Sequence, residues 1–78
     1  MANPADPREE MQLLRLIETA DVVLDALYEL SKANKPTLYP PDMMGTPAQP
    51  ATLDPFSKAE IQDATDFLVR LGVIEFAV

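Results

Sequence analysis

The chain has no cysteine, no histidine and no tryptophan, and only two of its 78 residues are glycine. Without cysteine there is no disulfide, no thiolate metal site and no thiol nucleophile. Without histidine the commonest general base and the commonest metal ligand are missing. The glycines, Gly45 and Gly72, stand too far apart to form a phosphate cradle. Ser31 and Ser57 are the only serines, and neither has an imidazole to activate it. Carboxylates do not fill these gaps. A di-metal site needs Glu-x-x-His pairs, and a calcium loop needs closely spaced acids around a glycine. These absences predict a non-enzymatic protein with no metal and no cofactor.

Positive charge is also scarce. Six lysines and arginines stand against thirteen acidic residues, a net charge of −7. That balance opposes a non-specific grip on nucleic acid or on anionic membranes. No apolar run approaches the roughly 18 residues of a membrane span. The opening MANPADPREE lacks the basic and apolar regions of a signal peptide. The expectation is a soluble, cytoplasmic protein with no membrane partner. A single domain of this size buries only about 60% of its unfolded surface. With no disulfide, oligomerisation is the remaining way to enlarge its core.

What is present begins with helix punctuation. Residues 1–6 read as a flexible tail. Asp6-Pro7, with Glu9, then marks a helix start: an acidic cap, proline at the first helical position and a capping-box acid. No glycine or proline interrupts residues 8–32. Leu13, Leu16, Ile17, Ala20, Val23, Leu24, Leu27 and Leu30 recur at helical spacing. The pattern predicts a helix over 7–32, about 39 Å long at 1.5 Å per residue. A compact chain of this length has a radius of gyration near 11–12 Å. So the helix either breaks near Glu18-Thr19 or packs against another chain. Leu14, Val22 and Tyr28 lie off the main stripe and are candidate dimer contacts.

Six of the eight prolines fall between Pro36 and Pro55. This density forbids a long helix or a central strand. Thr37-Leu38-Tyr39 is predicted as a short edge strand, and Pro41 to Met44 as one helical turn ending at Gly45. Thr46 to Thr52 reads as an extended or mobile stretch in a loop over 40–55. Next, Ser57 and Glu60 form the S-x-x-E capping box, with Phe56 and Ile61 at its staple positions. Asp54-Pro55 offers a competing start. Ile61, Ala64, Phe67, Leu68 and Leu71 line one face of a helix over 57–71, and Gly72 stops it. Ile74, Phe76 and Val78 then alternate with Val73, Glu75 and Ala77, which predicts a C-terminal strand over 73–78.

The order long helix, short strand, reduced turn, capped helix, glycine, strand resembles a winged-helix domain. Leu68, Leu71, Gly72, Val73 and Ile74 carry the resemblance, within residues 56–76. It implies one mostly helical α+β domain over 7–78. Two features depart from the pattern: the second helix is reduced to a proline-flanked turn, and no returning wing strand follows. In that family the 58–71 helix reads DNA. Here its exposed face offers Lys58, Gln62 and Arg70 but also Asp63 and Asp66, with Glu60 nearby. Acids oppose phosphate where cations would neutralise it.

Glu18, Asp21, Asp25 and Glu29 step by three, four and four along the first helix. They form an acidic ridge, relieved by Arg15 and Lys32 at its ends, which reads as an ordinary solvated face, as a docking surface for a basic partner or as a phosphate mimic. Tyr39, Met43 and Met44, with Pro40 and Pro41, form an apolar cluster in the loop, which reads either as a cover folded over the helix pair or as a partner-binding surface, since methionines adapt to irregular partner surfaces. The reading is a small acidic protein-interaction module, homodimeric through its first helix, that acts as an adaptor, regulator or assembly factor. Such a chain would suit a phage or mobile element. A dimeric winged-helix DNA-binding regulator, presenting Lys58 and Arg70 with Lys32 and Lys35, is one alternative. A component of a larger structural assembly is another.

Overall fold

A computed structural model describes residues 7–76. Helix α1 spans Pro7–Lys32, α2 is the single turn Pro40–Met43, and α3 spans Lys58–Arg70, with a 3-10 turn at Ala51–Leu53 between the last two. Among the described residues no strand forms. The two long helices pack on each other, α2 packs on α3, and the 3-10 turn packs on α1. Their shared core holds Ala20, Val23, Ala26 and Leu27 from α1, Met43 and Leu53 from the connector, and Ile61, Ala64 and Leu68 from α3. The threonines buried between them are satisfied locally: Thr19 donates to the Arg15 carbonyl and Thr65 to the Ile61 carbonyl, each at 2.7 Å.

Helix α1 runs unbroken through Glu18-Thr19. The Asp6 cap and the tail over 1–6 lie outside the described residues. At the other end Asn34 takes a left-handed φ of 58°. The Lys35 N–H then donates to the Leu30 carbonyl at 2.9 Å, and the Asn34 N–H to Ser31 at 3.1 Å. This is a Schellman close with asparagine in the usual glycine position. Gly72 ends α3 in the same way at φ 74°. The Val73 N–H donates to Leu68 at 3.1 Å and the Gly72 N–H to Val69 at 3.0 Å. At the start of α3, Ser57 wins over Asp54-Pro55. Its side chain accepts from the Glu60 N–H, and Glu60 accepts from the Ser57 N–H, both at 3.1 Å.

The expected winged-helix architecture is overturned, and with it the α+β class, because no strand forms among the described residues. Neither the strand over 37–39 nor that over 73–78 forms among the described residues; Ala77 and Val78 lie outside them. The segments do approach, but by rings rather than by a ladder. Tyr39 and Phe76 meet edge to face, with centroids 5.3 Å apart and planes at 88°. Pro36 and Pro40 flank the first segment and remove the donors a ladder would need there. Ile74 and Phe76 instead anchor the second segment by packing against the core.

The stretch predicted as extended or mobile is a chain of turns. The Thr46 N–H donates to Met43, Gln49 to Thr46, Leu53 to Pro50 and Phe56 to Leu53, at 3.0–3.1 Å. Gln49 braces them: its carbonyl accepts from the Gly45 N–H at 2.7 Å and its amide donates to Asp54 at 2.6 Å. Prolines pre-set φ for such turns, so the density that excludes regular elements also favours a defined path. Leu53, fully buried, fastens that path to α1.

Two substitutions test this. Leu53→Ala removes a fully buried side chain and should cost about 2–5 kcal/mol in urea denaturation. Gly72→Ala meets no neighbour within 4 Å. Its cost, about 1 kcal/mol, should come from the left-handed backbone alone.

Candidate protein-docking surface

Helix α1 changes character along its length. From Thr19 onward its inner face is buried, with Thr19 at 1%, Ala20 at 3% and Val23 at 0% exposure. Before Thr19 the described residues are exposed except for half-buried Leu16. Met11, Leu13, Leu14 and Ile17 stand 69%, 52%, 61% and 47% open to solvent within seven residues. The apolar pattern extends past the part of the helix that the rest of the fold covers. The molecule is correspondingly elongated, 49 × 25 × 20 Å with a radius of gyration of 13.8 Å.

Arg15 marks the boundary. Its Nε donates to Glu60 Oε2 at 2.8 Å, and its guanidinium lies 4.5 Å above the Phe56 ring centroid. Glu60 therefore closes its own helix cap with one oxygen and holds α1 with the other. The bond from Arg15, and then that from the Ser57 backbone, hold the Glu60 carboxyl below the usual carboxylate range. The same bond pushes the Arg15 guanidinium up. Both side chains remain substantially exposed, so solvent screens the pair. Beyond this clasp α1 and α3 flank an open groove of about 870 Å³, with Met11, Leu16 and Phe67 among its walls and Gln12, Asp63, Asp66 and Arg70 at its polar margin. A second groove, of about 670 Å³, lies between the end of α1 and the proline turns.

The ridge Glu18, Asp21, Asp25 and Glu29 is exposed along α1. The loop cluster is turned inward instead. Met43 is 1% exposed and Met44 packs on the core. Tyr39 is half-buried, and its hydroxyl accepts a hydrogen bond from Gln62. These side chains cover the helix pair and present little to a partner. Of the candidate dimer contacts, Leu14 and Tyr28 are exposed, but Val22 packs on the core. Lys58, Gln62 and Arg70 are not gathered into a reader. Lys58 and Arg70 sit at opposite ends of α3, and the Gln62 amide is spent on Tyr39 and Asp66. Lys32 ends α1, and Lys35 faces solvent beside the second groove. Among the described residues no group of three acidic side chains gathers as a metal site, and no helix is long and apolar enough to cross a membrane.

No family model, curated protein or solved structure matches the chain. The exposed face must be read from its own chemistry. Leu13 and Ile17 continue the apolar spacing of α1 yet face solvent. The available signal was length: the stripe outruns what the rest of a 78-residue chain can cover.

The clasp gives a pH test whose sign is set by Glu60. A carboxyl that titrates lower when folded adds stability that is whole above the unfolded value and is lost as pH falls through the folded one. Glu60→Gln keeps a capping-box acceptor but removes the charge. The wild type should exceed the variant in urea midpoint at pH 7, and the gap should close as pH falls toward 3. A gap independent of pH would show that the charge of Glu60 contributes nothing.

Proposed function

We propose that this chain is a small non-enzymatic module that binds another protein through the outer face of α1. The observation that carries this reading is the exposure of Leu13, Leu14 and Ile17 on one half of the helix. Fully burying a side chain of this kind is worth about 1.5–3 kcal/mol. Contiguous apolar surface, unlike scattered single residues, marks interaction sites. An amphipathic helix offering anchors at three- and four-residue spacing is a recurrent recognition element. The Arg15–Glu60 clasp supports the same reading, because it holds the start of the exposed half against α3. Adaptor, regulatory and assembly roles all use such a surface.

The test uses Leu13→Gln with Ile17→Gln, since glutamine is a good helix former. Both positions are exposed, so unfolding free energy should move by no more than about 0.5 kcal/mol per site. In cells that express the protein, cross-linking before lysis should join the wild type to a partner that the double variant loses. Identical cross-linked species from both, with both folded, would reject the docking role of α1.

A further inference from the structure

The outer face of α1 also carries information about what covers it. Leu13, Ile17, Leu24 and Tyr28 step by four, seven and four residues. That spacing makes one seam along the helix, of the kind that pairs with a second helix. Leu13, Ile17 and Tyr28 are exposed, at 52%, 47% and 64%, while Leu24 is half-buried and packs partly on this chain's own core. About a quarter-turn around the helix runs the ridge of Glu18, Asp21, Asp25 and Glu29. Asp21 is nearest the seam, in a flanking position where interhelical charge selects the partner.

Arg15 and Lys32 stand at the two ends of that ridge: Arg15 bonds to Glu60 on the groove side and feels Glu18, and Lys32 lies in the last turn beside Glu29. Asp21 and Asp25, between them, are exposed beside the seam. A second copy would bring its own ridge to the same junction and its own net charge of −7. Like charges placed together across an interface oppose pairing and suppress that partner. A helix with apolar anchors and flanking lysines or arginines meets both features at once. Its anchors fill the seam, and its cations meet Asp21 and its neighbours.

We infer that the seam Leu13–Ile17–Leu24–Tyr28 docks a cationic amphipathic helix of a different protein rather than a second copy of this chain. This rests on α1 being a docking element and adds the chemistry of what docks there. The acidic ridge then acts as the selector, and the apolar seam as the source of affinity.

The probe is a labelled synthetic helix of about three heptads, with leucine on its seam and lysine at the flanking positions. Controls are a scrambled peptide of equal composition and a version with glutamate replacing lysine. Fluorescence anisotropy reads binding to the full chain at about 50 mM and about 500 mM salt. The lysine helix should bind at least tenfold more tightly than either control. Leu13→Gln with Ile17→Gln should weaken it tenfold or more. Asp21→Asn with Asp25→Asn should weaken it several-fold at low salt and flatten its salt dependence.

Equal binding of the scramble would overturn the inference by reducing the effect to bulk charge. Equal binding of the glutamate helix would overturn it by removing the selector. So would sedimentation showing a wild-type dimer that Ile17→Gln dissolves, since the seam would then belong to a second copy. If the lysine helix fails to bind while Leu13→Gln with Ile17→Gln still loses its cross-linked partner, docking through α1 stands and the cationic-helix inference falls.

Discussion

Helix α1 offers more apolar length than the rest of the described chain covers. Its 26 residues contain no glycine or proline after the first position, so nothing local shortens it. Against it pack the 13 residues of α3, one turn of α2 and one 3-10 turn. Among the described residues of α1, the buried ones start at Thr19, preceded by half-buried Leu16, while the exposed Arg15 meets α3 only through its clasp with Glu60 and Phe56. An amphipathic helix is held in place mainly by burial of its apolar face, so the uncovered half has a reason to find cover elsewhere. The elongated shape, the groove beside α3 and the solvent-facing leucines all follow from this one mismatch.

Where the covered part ends, two hydrogen bonds converge on one carboxylate and a ring contact holds the arginine beside it. Glu60 caps α3, accepts from Arg15 and draws that guanidinium onto Phe56. Each contact is modest in water. Together they set where α1 leaves the core, and they occupy the arginine nearest the acidic ridge. The outer face is left with an apolar seam beside the acidic ridge, and the proposed cationic-helix partner rests on that combination.

Local signals in the chain were highly legible. The capping box at Ser57 and Glu60, the glycine stop at Gly72 and the extent of α1 are contests between neighbouring residues, and the winning geometry follows from their chemistry. The strands were not legible. Alternation at Ile74 and Phe76 marks two side chains that face the core, which a ladder and a packed coil satisfy equally well. The pairing that would decide between them needs a partner with free N–H groups, and Pro36 and Pro40 bracket the available segment. Met43 was open in the sequence for a related reason. A methionine beside two prolines fits either a partner surface or a core plug, and only the position of the turn over the helix pair chose the plug.

The sequence by itself determined two long helices, a proline-rich path between them, the caps at their junctions and an acidic ridge on α1. These depend on contacts within four or five residues. Only the tertiary structure decided that the domain has no sheet among its described residues, that the loop cluster turns inward, and that Leu13 and Ile17 face solvent. Periodicity shows which residues share a face. It does not show how much of that face other elements reach, because coverage depends on contacts between residues far apart in the chain.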